Sequence, residues 1–128
     1  MRQAVKRKDS LAAALLWLET PYMTAAMEQP GLHDRLRRLA TENASSWVPP
    51  DREKELEPPA IGRLQRLVAP TLVIVGSRDI PDIHRIVDTL VAQLPHVRLV
   101  RLEGAGHMVN LEQPERFSRT VLEFLRAP

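Results

Sequence analysis

Two apolar, β-branched runs, each followed by an amphipathic segment, most strongly constrain the fold of this 128-residue chain. The runs are Thr71–Gly76 and Val97–Leu102, and the segments with helical spacing are Pro81–Leu94 and Pro114–Arg126. When a helix joins two strands of one sheet, the crossover is right-handed and the strands are parallel. The sequence therefore predicts an α/β protein in which residues 59–128 form a β-α-β-α unit with two parallel strands.

The sequence of residues 1–58 predicts helices followed by a linker. Apolar side chains recur every three or four residues on a helix that Ser10 caps and that runs to about Met27. Pro30 and Gly31 break this pattern, and a second helix is expected from about residue 32 to residue 45. Four prolines and mostly charged residues between Trp47 and Pro59 indicate an exposed connection.

An acid and a histidine follow the two expected strands. Asp79 lies just after the first strand, and His107 follows the glycine-containing turn Gly104–Gly106 after the second. Loops at strand ends are exposed but are held by a rigid sheet, so α/β proteins often place reactive side chains there. An aspartate next to a histidine can fix the tautomer and orientation of the imidazole. Asp79 and His107 are therefore the candidate catalytic residues.

These segments resemble the carboxyl-terminal part of the α/β-hydrolase family. The residues that carry the resemblance are Pro70–Asp79 and Gly104–Glu115. In that family a nucleophile, an acid and a histidine follow one another along the chain. The resemblance therefore implies that Asp79 is the triad acid and His107 the general base. It also implies that residues 1–58 correspond to the helical cap of such enzymes.

The resemblance further implies what the site would act on. It is nearest to the enol-lactone hydrolases and to the carbon–carbon-bond hydrolases of aromatic catabolism. A small ester, enol-lactone or similar carbonyl compound is therefore the expected substrate. The chemistry of this family requires no metal and no organic cofactor, so none is expected here.

The chain departs from the family pattern at the nucleophile. The family places its serine in a Gly-x-Ser-x-Gly turn, but no two of the five glycines flank a serine at that spacing, and there is no cysteine. The His-Gly loop that supplies the oxyanion hole is also missing. We therefore expect the chain to be inactive alone, as a truncated product or one half of a split enzyme.

Other roles for the acidic residues stay open at this stage. Asp79 could serve only as a turn or cap residue, because aspartate favours both positions. Asp82 is a rival triad acid, but a carboxylate in the first turn of a helix is already stabilised by the helix dipole. Glu112 and Glu115 have the same explanation, and we expect no catalytic role for them.

A metal site and a phosphate site are weaker alternatives. His84, His96 and His107, together with two aspartates, are numerous enough to hold a metal, but their spacing matches no known metal pattern. The pair of glycines before His107 lacks the third glycine of a dinucleotide-binding loop. The sequence therefore predicts neither a metal nor a nucleotide cofactor.

Composition narrows the remaining classes. The net charge is only +2, and acids interleave with the basic patch Arg35–Arg38, so a nucleic-acid partner is not expected. No apolar run is long enough to span a bilayer, and a signal peptide is not expected either. The absence of cysteine means that no disulfide framework is implied, so we expect a cytoplasmic protein.

The narrow sheet suggests self-association. Parallel sheets of two strands are rare, and the flat, uncharged run Thr71–Val75 would present an unpaired strand edge. We expect a homo-oligomer, most simply a two-fold dimer that uses this edge or exchanges cap helices. A non-catalytic association module is accordingly the alternative to the hydrolase reading.

Overall fold

The computed structural model describes residues 9–47 and 57–127 and divides the chain into two compact units, Met1–Glu53 and Lys54–Pro128. In the first unit, helix α1 (Ser10–Leu18) is followed by a 3-10 turn, by the short helix α2 (Thr24–Met27), by α3 (His33–Glu42) and by a second 3-10 turn, Ala44–Trp47. Most of the expected proline-rich connection lies outside the described residues. In the described part of the chain, no helix is long and apolar enough to cross a membrane.

The first helix is shorter than the sequence predicts. Its cap is Asp9 rather than Ser10, because the Asp9 carboxylate accepts the N–H of Ala12 at 3.0 Å. The prediction of one helix to Met27 is wrong because Pro21 has no N–H and its ring clashes with a helical carbonyl four residues earlier. The Trp17 carbonyl instead accepts the backbone N–H and the hydroxyl of Thr20, at 3.0 and 2.7 Å.

Small side chains let α1 and α3 pack closely. Ala13 and Ala14 of α1 are fully buried, and Leu36 and Ala40 line the buried face of α3. Helix α3 ends at Glu42, earlier than the sequence predicts, because the side-chain amide of Asn43 donates to the Leu39 carbonyl at 2.8 Å. Leu39 of the same helix is 37% exposed, so the apolar residues of α3 do not all lie on its buried face.

The second unit contains the sheet. A 3-10 helix (Ala60–Arg66) leads into β1 (Thr71–Gly76), α4 (Pro81–Gln93), β2 (Val97–Leu102), α5 (Val109–Glu112) and α6 (Pro114–Arg126). The strands are parallel, with Thr71 opposite Val97 and Gly76 opposite Leu102. The predicted β-α-β-α unit with two parallel strands is confirmed. The short helix α5 was not expected.

Prolines set the bounds of the helices in this unit. Pro81 and Pro114 each occupy the first turn of a helix, where the missing N–H costs no hydrogen bond. Leu94 is extended because it precedes Pro95, and the residue before a proline avoids helical geometry. Because β1 and β2 are parallel, the loops that follow them begin at the same edge of the sheet.

Gly76, the last residue of β1, permits close contact between these two loops. A Cβ atom at this position would lie 2.1 Å from the carbonyl oxygen of Gly106 and 2.3 Å from that of Ala105. Both neighbours are backbone atoms, which cannot move aside as a flexible side chain can. Only glycine at position 76 lets the loop that carries His107 pack directly on the end of β1.

We expect Gly76→Ala to lower the free energy of unfolding by about 3 kcal/mol or more, because the added methyl group forces two backbone segments apart. Gly62→Ala is the matched control, since nothing lies within 4 Å of a Cβ there. It should change stability by less than about 1 kcal/mol. Urea unfolding followed by circular dichroism measures both variants, and equal stabilities would contradict the close contact.

Candidate active site

Asp79 and His107 meet at the carboxyl edge of the sheet. Nδ1 of His107 lies 2.9 Å from Oδ2 and 3.2 Å from Oδ1 of Asp79. The two residues are 28 positions apart in the chain, and the parallel strands bring them together. The structure therefore pairs the two residues that the sequence selected, and their catalytic role stays a prediction.

Backbone hydrogen bonds hold the two loops against each other. The N–H groups of Ser77 and Arg78 donate to the carbonyls of Leu102 and Ala105, at 3.0 and 2.8 Å. In return, the Gly104 N–H donates to the hydroxyl oxygen of Ser77 at 2.9 Å. Gly104 has a φ of +79°, a conformation that glycine adopts without strain. These bonds thus hold the loop that carries Asp79 against the loop that carries His107.

Asp79 is arranged to remain an acceptor. Its side chain is only 4% exposed, and its Oδ1 accepts the N–H of Ile80 at 2.8 Å. A carboxylate can only accept hydrogen bonds, so Nδ1 of the neutral His107 ring carries the proton that faces it. Nε2 is then the atom that can accept a proton, as a general base requires. The His107 side chain is 33% exposed, so its ring remains accessible.

Glu112 also belongs to this site, and the sequence interpretation missed it. Its side chain is buried, and its carboxylate accepts the N–H of Gly106 at 2.6 Å and that of Met108 at 2.9 Å. The explanation from the helix start covers only part of this arrangement, because Glu112 lies in the first turn of the four-residue helix α5 but also binds the Gly106 N–H outside that helix. The sequence does hold a signal for this role of Glu112. The glycine-containing turn before His107 has no strand partner, so its backbone N–H groups need another acceptor.

The other titratable residues that were considered lie apart from this pair. Asp82 forms an exposed ion pair with Arg85, and His84 lies against Arg101, 3.1 Å from its guanidinium. His96 precedes β2 and so lies at the opposite end of the strand from His107. Among residues 9–47 and 57–127, no three His, Cys, Asp or Glu side chains are close enough to hold a metal ion.

A separate cavity of about 500 Å³ lies between α4 and the 3-10 helix that precedes β1. Its walls are mostly apolar, with one ion pair at the rim, and they are formed by Ile61, Leu64, Asp82, Arg85, Ile86, Thr89 and Leu90. Neither Asp79 nor His107 lines it. The cavity therefore has no reactive pair of its own.

Comparison with known sequences identifies the family. The sequence model of the α/β-hydrolase family matches residues 2–120, and the chain belongs to this family. The chain is also similar to a putative carbamate hydrolase, RutD, of Pseudomonas savastanoi pv. phaseolicola, with 41% identity over 64 residues. It has 41% identity over 66 residues with the polyketide synthase ThaQ of Burkholderia thailandensis. These alignments cover 50% and 52% of this chain, but only 25% and 3% of the two relatives.

Solved structures agree on the fold. MenH from S. aureus matches 98% of this chain with a TM-score of 0.70 and 17% sequence identity, and the match spans 53% of the MenH chain. An α/β hydrolase from the metagenome of lagoon sediments at Mar Chica, Morocco, matches 79% of this chain with a TM-score of 0.51 and 18% identity. The chain thus spans about half the length of the solved structures that it resembles.

We expect Asp79→Asn to reverse the tautomer of His107. The amide oxygen would keep the bond to the Ile80 N–H, so the amide nitrogen would face Nδ1 and donate to it. The ring would then carry its proton on Nε2. Long-range ¹H–¹⁵N NMR correlations of the neutral ring distinguish the two tautomers. Asp82→Asn is the control and should leave the ring unchanged; an unchanged ring in Asp79→Asn would contradict the assignment.

Proposed function

We propose that this chain supplies the acid and histidine of a hydrolase that acts on small carbonyl compounds. The observation that carries the proposal is the hydrogen bond of 2.9 Å between Nδ1 of His107 and buried Asp79, in a chain of the α/β-hydrolase family. Esters and enol-lactones are the substrates that suit this pair, together with ketones cleaved at a carbon–carbon bond. The name of the carbamate hydrolase relative also points to attack on a carbonyl carbon.

The proposed chemistry requires a nucleophile from outside these 128 residues. A serine hydroxyl would lose its proton to Nε2 of His107 while its oxygen attacks the carbonyl carbon. When the bond to the leaving group breaks, His107 would return that proton to the leaving group. Water would then release the acyl group by the same two steps. Asp79 would hold the ring and stabilise the imidazolium throughout.

The serines of this chain do not provide that nucleophile. Ser77 is nearest to the pair in sequence, but its neighbours are Gly76 and Arg78, so it lacks a glycine on each side. Its hydroxyl oxygen also accepts the Gly104 N–H, which ties it to the loop. In the family, small residues around the serine allow the sharp turn that exposes it. We therefore propose that the chain alone does not turn over a substrate of the family.

A chimera tests this function. A segment of this chain that contains Asp79 and His107 replaces the corresponding segment of the carbamate hydrolase relative, and hydrolysis of short p-nitrophenyl esters is measured. We expect activity in the chimera and a fall in kcat of about 10⁴-fold or more in His107→Ala, because removal of a triad member costs several powers of ten. His96→Ala is the control and should retain activity. Equal activity of the two variants would contradict the proposal.

The chain alone provides the complementary measurement. It should hydrolyse the same esters no faster than its own His107→Ala variant does. Hydrolysis that is lost in His107→Ala would show that the chain is active without a second segment, and our proposal of inactivity would be wrong.

We also place the protein in the cytoplasm, because a chain without cysteine gains no disulfide from an oxidising compartment.

A homodimer through β1 is the second candidate function, and the free edge of the strand favours it. Thr71 donates its N–H to the carbonyl of His96, toward β2. The backbone N–H groups of successive residues point to opposite sides of a strand. The N–H of Val73 therefore also points toward β2, whereas the N–H groups of Leu72 and Ile74 point away from it. In the described part of the chain, β2 is the only strand that pairs with β1.

Charge distinguishes the two edges of the sheet. β2 contains the exposed residues Arg98 and Arg101, and charged side chains discourage the addition of another strand. β1 contains no charged residue, and Val68, shortly before it, is 70% exposed. A second copy of the chain would therefore add at β1. An exchange of cap helices is the other route to the proposed dimer.

Two measurements test the dimer: light scattering reports the oligomeric state, and amide hydrogen exchange reports whether β1 is the interface. In a dimer that pairs through β1, amide exchange at Leu72 and Ile74 should slow as the protein concentration rises through the micromolar range. Val73 and Val75 are internal controls, because their N–H groups already bond to β2, and they should exchange slowly at every concentration. A monodisperse monomer would contradict any dimer, and a dimer with unprotected Leu72 and Ile74 would indicate exchanged helices instead.

A further inference from the structure

Glu112 holds the backbone on both sides of His107. Its Oε2 accepts the N–H of Gly106 and its Oε1 accepts that of Met108. The two oxygens therefore bind the N–H groups of the residues immediately before and after the histidine. The Glu112 residue is only 8% exposed. Hydrogen bonds to a buried carboxylate are shorter and stronger than those between neutral groups.

Helix capping explains only half of this arrangement. The Glu112 N–H donates to the Met108 carbonyl at 2.8 Å, while the Glu112 side chain accepts the Met108 N–H. This reciprocal pair resembles a capping box, which stabilises the first turn of a helix. The bond to Gly106 lies outside α5 and contributes nothing to its cap. That bond instead ties α5 to the turn in front of His107.

The same turn is held from its other side by the loop that carries Asp79. The Arg78 N–H donates to the Ala105 carbonyl at 2.8 Å, so the Ala105–Gly106 peptide group is bound at both of its ends, by the loop after β1 at its carbonyl and by Glu112 at its N–H. The orientation of the His107 side chain depends on its own backbone angles, which these bonds determine. A small rotation there would move Nδ1 out of reach of Asp79.

We propose that Glu112 is a positioning residue, which orients His107 toward Asp79 without touching the reacting atoms. Its relevance to catalysis rests on the proposed hydrolase function, but its effect on the imidazole does not. The side chain carries out this role as an acceptor at both oxygens. A residue that accepts at only one oxygen would release one of the two amides.

Glu112→Gln tests the role with almost no change in shape. The amide nitrogen of glutamine cannot accept a hydrogen bond, so either Gly106 or Met108 loses its partner. We expect the exchange of that amide to accelerate about tenfold or more, and the Nδ1–H signal of His107 to shift or broaden. Glu115→Gln is the matched control, since Glu115 lies in the first turn of α6 and is exposed. It should leave both signals unchanged.

A second variant covers the case in which Glu112→Gln fails to fold. Glu112→Asp keeps the charge but is one methylene shorter, so it cannot reach both amides. It should alter the same His107 signal while circular dichroism remains that of the parent chain. Faster exchange at Gly106 or Met108 with an unchanged His107 ring would overturn the proposal, because Glu112 would then act only as a cap.

The chimeric hydrolase separates this proposal from the proposed function. In an active chimera, Glu112→Gln should lower kcat about 10- to 100-fold and leave KM nearly unchanged, because the substrate does not touch Glu112. An unchanged kcat would overturn the catalytic part of the role. An inactive chimera in which Glu112→Gln still alters the His107 ring would contradict the hydrolase function and support the positioning.

Discussion

The direct packing of one strand-end loop on the end of the neighbouring strand underlies the whole site. Gly76 removes the side chain that would separate β1 from the turn at Ala105–Gly106, and the backbone groups so brought together form hydrogen bonds. Without that contact, Asp79 and His107 would lie on two independent loops. The two strands β1 and β2 can therefore hold Asp79 and His107 at 2.9 Å, because the loops are bound to each other as well as to the strands.

Two buried carboxylates hold His107, and each restricts a different part of it. Asp79 binds the ring and determines which nitrogen carries the proton, whereas Glu112 binds the amides on either side of the residue. Neither acid can replace the other, because one acts on the side chain and the other on the main chain. Burial makes both contacts effective, since the surrounding dielectric is low and few water molecules compete. The pair is thus organised although no serine of the family type lies in this chain.

Much of the fold could be predicted from the sequence. Apolar runs predicted both strands, and helical spacing of apolar residues predicted the helices that follow them. The two can be told apart because the spacing of apolar residues differs between a strand and a helix. Local chemistry was harder to foresee: Pro21 divides the first helix, and Asp9 rather than Ser10 caps it. The interpretation also missed α5, since four residues are too few to show a helical period. Asp79 and His107 were found because strand ends can be recognised in a sequence.

The sequence alone determined the order of the two strands and of the helices α4 and α6, the choice of Asp79 and His107 as candidate residues, and the absence of a Gly-x-Ser-x-Gly nucleophile from these residues. Only the tertiary structure decided that Glu112 belongs to the site and that Gly76 must be glycine. The physical reason is that both depend on contacts between segments distant in the chain or on the exact direction of backbone N–H groups. Periodicity and residue type report where a side chain lies along an element, but three-dimensional packing decides which atoms it meets.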